Sequence, residues 1–278
     1  MDVIEIEAGV GAMGSFGPVE AGPTTMRIQT SEGADGAWVG LARLSAGVGL
    51  EQFVDTLQRA YARDGSAAEA GRRVDVEAQL LGGAAVTSST AVTFTQTLSP
   101  GRIHLIDYKR IMSPDAMAGI GTLEVVPGEA RESAQAEPAV VLHRTAEGPR
   151  IDAPATISAG SAVVIRNDTG QFNEAVWMQV RDDATGEDVD RFFAAVTEGR
   201  QPPVPDLVRS QPTGCVPLGP GVSAAVALDV PAGRYVLTTW ITDYATGVLF
   251  ARQGMHRLVT VEGLTGAPAP NWKAGESC

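Results

Sequence analysis

The chain has 278 residues, 44% hydrophobic and only 5% aromatic, with 21 Lys and Arg against 33 Asp and Glu for a formal net charge of -12. That length holds two domains of ordinary size, whose cores must be built from Val, Leu, Ile and Ala. The acidic balance leaves no basic stripe to neutralise phosphates, so nucleic acid is excluded as a partner, and no stretch approaches the ~20 apolar residues of a membrane insertion.

The first residues, Met1-Asp2-Val3-Ile4-Glu5-Ile6-Glu7, alternate acid and apolar groups, as a strand does. They lack the basic start and apolar run of a secretory signal, which points to a cytoplasmic or virion location if Met1 is native. Gly9-Val10-Gly11-Ala12-Met13-Gly14 matches a Gly-x-Gly-x-x-Gly pattern, but Ser15-Phe16-Gly17-Pro18 is a poor helix opening. A dinucleotide site needs that helix N-terminus, so the stretch is read as a loop.

Strands follow at Met26 to Thr30 and Trp38 to Leu44. Leu50, Phe53, Val54, Leu57 and Tyr61 then share one helical stripe. Thr87-Ser88-Ser89-Thr90 reads as a polar strand edge, with no Gly-x-Ser-x-Gly around it. Pro100-Gly101 turns into the strand at Arg102 to Asp107, and Ala118-Gly119 precedes a strand ending at Val126.

Residues 127–138 are polar, aperiodic and end in Pro138, which is linker composition. Beyond them, Val140 to His143, Val163 to Ile165 and Val176 to Val180 alternate as strands. Val189, Phe192, Phe193 and Val196 make a second helical stripe over residues 186–198. The acidic run Asp182 to Asp188 reads as the cap of that helix rather than a calcium loop, whose ligand spacing it lacks. Pro217-Leu218-Gly219-Pro220-Gly221 and Pro231-Ala232-Gly233 read as turns, with strands at Ala224 to Val230, Tyr235 to Ile241 and Arg257 to Val261. The tail from Gly263 to Cys278 is Pro-rich and irregular and carries Trp272, a candidate interface residue. Cys215 and Cys278 form no metal motif. Whether they pair stays open.

Two stretches nearly repeat. Pro100-Gly101-Arg102-Ile103 with Ala118 to Val126 parallels Ala232-Gly233-Arg234-Tyr235 with Gln253 to Val261, and Val19 to Gly22 parallels Ile157 to Gly160. The organisation expected is all-β: a Greek-key sandwich over 1–126, a linker over 127–138, a second sandwich over 139–262 and a tail over 263–278. Each sandwich is expected to carry one short helical insertion.

The second unit resembles a cupredoxin-like domain, the sandwich of blue-copper proteins. The residues that carry the resemblance are Ala159-Gly160, a strand ending at Asn167, the helix at 186–198, Pro231-Ala232-Gly233, Tyr235 with Leu237, and Gly254-Met255. The first unit follows the same scheme more loosely. The resemblance implies a copper site at Asn173, Thr239, Phe250 and Met255, where two imidazoles, a thiolate and a thioether are required. Only the thioether of Met255 is present, so the resemblance implies a site without copper and without a cofactor. His104, His143 and His256 are scattered and read as structural. Neither a nucleophile–base pair nor a metal cluster can be assembled, so the expectation is a protein that is not an enzyme.

Two functional classes remain. One is a non-enzymatic binding or assembly protein acting on a protein partner or on itself, with a virion component of an actinobacterial phage as one version. The alternative is an exported binding or redox-associated protein with an unconventional metal site.

Overall fold

The computed structural model describes residues 3–62, 66–128, 136–202 and 207–263. In the first half the strands are β1 (Val3–Ala8), β2 (Ser15–Glu20), β3 (Gly22–Thr30), β4 (Gly36–Leu44), β5 (Ala78–Thr87), β6 (Val92–Leu98), β7 (Gly101–Asp107) and β8 (Ile120–Val126). Two helices, α1 (Leu50–Tyr61) and α2 (Ala67–Glu77), lie between β4 and β5. The second half has β9 (Val140–Thr145), β10 (Gly148–Asp152), β11 (Thr156–Ser158), β12 (Ala162–Asp168) and β13 (Asn173–Gln179). It continues with helix α3 (Gly186–Thr197), β14 (Thr213–Leu218), β15 (Ser223–Leu228), β16 (Gly233–Thr238) and β17 (His256–Glu262).

The chain is an all-β protein of two face-packed sheets. One runs β1-β3-β6-β15-β12-β9-β10 and the other β11-β17-β16-β13-β14-β5-β4-β7-β8-β2. Both orders are nearly palindromic. β1, β3 and β6 correspond to β9, β12 and β15, while β2, β4, β5, β7 and β8 correspond to β11, β13, β14, β16 and β17. The parallel pairs repeat too, β1 on β3 as β9 on β12, and β2 on β8 as β11 on β17. A pseudo-two-fold axis therefore passes between β5 and β14 in one layer and between β6 and β15 in the other.

Both sheets run on from one half into the other. β15 pairs with β6 from Ala225↔Thr95 to Leu228↔Val92, and β14 pairs with β5 at Gly214↔Ala85 and Leu218↔Leu81. Gln96 reinforces the seam by donating to Leu81 O at 2.7 Å and Ser223 O at 3.0 Å. The buried apolar residues of both halves form one continuous core, from Ile6 to Val261. A smaller cluster under α3 is built on Val189, Phe193 and Leu207.

Two of the helices begin and end where their stripes predict. α1 buries Phe53, Val54 and Leu57. α3 opens on a capping box: Thr185 Oγ1 accepts from Asp188 N–H, and the Asp188 carboxylate accepts from Thr185 N–H. Those hydrogen bonds, with Arg191 beside them, hold the Asp188 carboxyl down at about 2. The acidic run thus caps a helix.

Three expectations need correction. The first half carries two helices rather than one, because α2 buries the small residues Ala67, Ala70 and Gly71 with Val74, and small residues make no visible apolar stripe. Pro217 and Leu218 belong to strand β14 rather than to a turn. A register shift between Asn173 and Ala175 on the facing strand accommodates the proline. Thr87 to Thr90 is the tight turn joining β5 to β6. After Gly14 comes strand β2, so the glycine-rich stretch supplies no helix N-terminus for a pyrophosphate.

Candidate functional site

The positions inferred by resemblance come together in part. Asn173 opens β13, Thr239 follows β16 and Met255 precedes β17, and all three are fully buried. Thr239 Oγ1 donates to Asn173 Oδ1 at 2.6 Å, and Asn173 Nδ2 donates to Met255 Sδ at 3.3 Å. Asn173 Oδ1 also accepts Glu174 N–H at 2.9 Å, and Thr239 Oγ1 accepts Ile241 N–H at 3.1 Å. Phe250 lies on the short 3-10 turn Phe250–Gln253, with the Arg144 guanidinium 4.9 Å from its ring centroid.

A copper centre does not fit these residues. The donor set is an amide, a hydroxyl and a thioether, with a phenyl ring at the fourth position, and the polar atoms are spent on one another. Copper of the blue type requires imidazoles and a thiolate. Cys215 supplies none, since it sits buried on β14, where burial pushes its thiol up to about 12. His104, His143 and His256 stand on β7, β9 and β17. His143 pairs with Asp152 at 3.0 Å; His256 pairs with Asp190 at 3.0 Å and stacks on Phe193. Among the described residues no three His, Cys, Asp or Glu side chains form a metal-binding group. Trp272 and Cys278 lie outside the described residues.

Next to this buried network is a feature that the resemblance does not point to. A cavity of about 320 Å³ opens between the halves, lined by Trp38, Tyr61, Phe172, Glu174, Trp240 and Tyr244, with Ala60 and Ala67 closing it from α1 and α2. The helical hairpin supplies one wall and the loops around β13 and β16 supply the other. Helix α2 ties the two walls together. Arg72 donates to Tyr244 O at 2.7 Å, and both oxygens of the Asp75 carboxylate accept Phe172 N–H, at 3.1 and 3.2 Å. Gly71 lets the helix come close, because a Cβ there would stand 2.3 Å from Tyr244 Cε1. Phe172 and Tyr244 meet edge-on at 5.6 Å, and Trp240 is backed by Phe193 at 5.5 Å.

Glu174 is the one carboxylate in this lining and is only 1% exposed. Its Oε1 accepts Trp240 N–H at 2.9 Å. Among the described residues it has no cationic partner. Burial outweighs that hydrogen bond and pushes the carboxyl up to about 7. Nearby, burial raises the Tyr61, Tyr108 and Tyr244 hydroxyls above the ordinary phenol range, so these rings stay neutral around it. Asp75, also raised by burial, stands at about 6 behind Phe172.

The first half has a related contact without the opening. Buried Asp107 at the end of β7 accepts Trp38 N–H at 3.0 Å and Lys109 N–H at 3.1 Å.

No family model and no curated protein matches the sequence. The likeness to known proteins is one of solved structures. Auracyanin from the photosynthetic bacterium Roseiflexus castenholzii is 15% identical, over 44% of this chain and 94% of that one, with a TM-score of 0.25. The blue copper oxidase from Nitrosomonas europaea is 11% identical, over 97% of this chain and 89% of that one, with a TM-score of 0.25. McoA multicopper oxidase from the hyperthermophile Aquifex aeolicus is 12% identical over 93% and 65%, also with a TM-score of 0.25. Such identities concern the fold alone.

Proposed function

We propose that the chain is a non-enzymatic binding protein of two copper-less cupredoxin-like units, which takes a small ligand in the aromatic cavity between its halves. The observation that carries this reading is Glu174: a carboxyl 1% exposed, lining the cavity, with no cation beside it among the described residues. A buried ionisable group without a partner destabilises a fold, and such groups cluster where a ligand completes the pairing. The volume and the largely apolar lining, with its five aromatic rings, suit a small molecule. The described lining holds a single carboxyl and no nucleophile–base pair, which supports binding over turnover.

Trp38 and Trp240 in the lining provide the readout. A chemically mixed set of small cations, anions and neutral compounds is titrated into the full chain while tryptophan emission is followed. The expected result is a saturable change for at least one class, abolished by Trp240→Ala. No saturable response to any class would refute the cavity as a ligand site.

A further inference from the structure

We infer that the cavity takes an organic monocation, an alkylammonium or quaternary ammonium group, with Glu174 as its counter-ion; this rests on the reading of the cavity as a ligand site. Three properties of the lining select that chemistry. First, the only formal charge among the described lining residues is one carboxyl, which calls for one positive charge. Among the described residues the nearby basic groups are already committed, Arg72 to Tyr244 O and Arg144 to Asp243 at 2.6 Å.

Second, aromatic rings make up half of the remaining lining. Two indoles, Trp38 and Trp240, accompany the rings of Tyr61, Phe172 and Tyr244. Aromatic rings attract cations through their quadrupoles, indole most strongly, and the attraction grows when water is excluded. Third, the site is wrong for the other candidates. An inorganic cation such as calcium needs six or more oxygen ligands and magnesium keeps its waters, whereas this lining gives one carboxyl and the hydroxyls of Tyr61, Thr242 and Tyr244 among rings and alkyl groups. An anion would meet Glu174 head-on. A neutral apolar ligand would leave Glu174 unpaired and force it to hold a proton. A weakly hydrated ammonium bearing alkyl groups satisfies both the carboxylate and the rings. The net charge of -12 also favours the approach of a cation.

Binding should be linked to protons. A cation beside Glu174 stabilises its ionised form, so affinity should rise as the carboxyl ionises and level off above about pH 7. The other groups that face it are Tyr61 from α1, Tyr108 after β7, Cys215 from β14 and Tyr244, all neutral in this range. Asp75 from α2 titrates near 6 behind Phe172, and an Asp75→Asn variant separates its contribution.

The test compares choline with 3,3-dimethylbutan-1-ol, its uncharged carbon isostere, on the full chain by calorimetry and tryptophan emission at about pH 8, with Glu174 ionised. Choline should bind at least about tenfold more tightly than the isostere. Glu174→Gln should erase that preference without lowering the melting temperature. Equal binding of the two compounds, or a preference that survives in Glu174→Gln, would overturn the cation while leaving the cavity as a site for neutral molecules. If choline, tetramethylammonium and butylammonium all fail to bind, the cation inference is likewise refuted. The mixed-class titration above then decides the fate of the cavity itself.

Discussion

Replacing Glu174 by Gln tests the electrostatics of the site without any ligand. The amide keeps an oxygen for Trp240 N–H and nearly the same volume, but it cannot ionise. In the folded chain burial raises the carboxyl from its ordinary 4.5 to about 7. A raised folded value means the folded state holds the proton more tightly than the unfolded chain. Its contribution is complete below about pH 4.5 and is lost as pH rises through about 7. At ~1.36 kcal/mol per pH unit, the wild type should lose about 3 kcal/mol across that window through this one group. Glu174 is 1% exposed, so solvent screening does not reduce the figure. The variant should not lose it. Urea unfolding of both proteins from about pH 4.5 to pH 8 should show Glu174→Gln gaining on wild type by about 3 kcal/mol. Asp75, His104 and His256 titrate in both proteins and cancel in the difference. A difference that does not change with pH would refute the reasoning, because it would mean that the carboxyl titrates alike in the folded and unfolded chain.

Gly71→Ala should lower the melting temperature despite alanine's better helix propensity. Overpacking Tyr244 costs about 1–3 kcal/mol against a gain of up to ~1, and thermal melts would read the sign. Arg144→Met should destabilise by about 3 kcal/mol, since it leaves the fully buried Asp243 carboxylate without its cation, held only by Ala245 N–H and Gln253 Nε2. Arg144 keeps about a third of its side chain in water, so the lower end of the range applies. Denaturant titration of the double variant with Asp243→Asn should recover most of the loss. Copper(II) added to the protein should give no intense visible absorption, because that band needs a copper–thiolate bond; a blue product would show that a thiolate reaches the metal.

Legibility in the sequence followed side-chain size and locality. The α1 and α3 stripes were readable because Phe53, Leu57, Val189 and Phe193 are bulky and recur within a few residues. The α2 face was invisible because its contact residue is Gly71, whose role is fixed by Tyr244, more than 170 positions away. The internal repeat foretold two sandwich units, but the pairing of β5 with β14 and β6 with β15 is a long-range matter of register, and no local pattern states it. The carry-over of ligand positions located the Asn173, Thr239 and Met255 cluster. It passed over Glu174, one residue along, because the family pattern assigns nothing there. The available signal was an acid directly before the apolar run 175–178 of strand Asn173–Gln179, where burial without a partner is costly.

The shared seam has a consequence for the strand edges that the chain leaves open. Cut at the seam, either half would bare the backbone of a long apolar strand in each layer, flanked by Ala84, Val86 and Phe94 on one side and Val216 and Val226 on the other. Such open rims template aggregation. Joined, the four rims close on each other, and those left outside are unattractive. β11 has three residues, β2 contains Pro18 and a register shift, β10 contains Pro149, and β1 carries Glu5 and Glu7. A rim related to its partner by a dyad is self-complementary, as in a two-fold homodimer. Here the covalent link keeps the second copy always at hand, at a fixed effective concentration and independent of dilution.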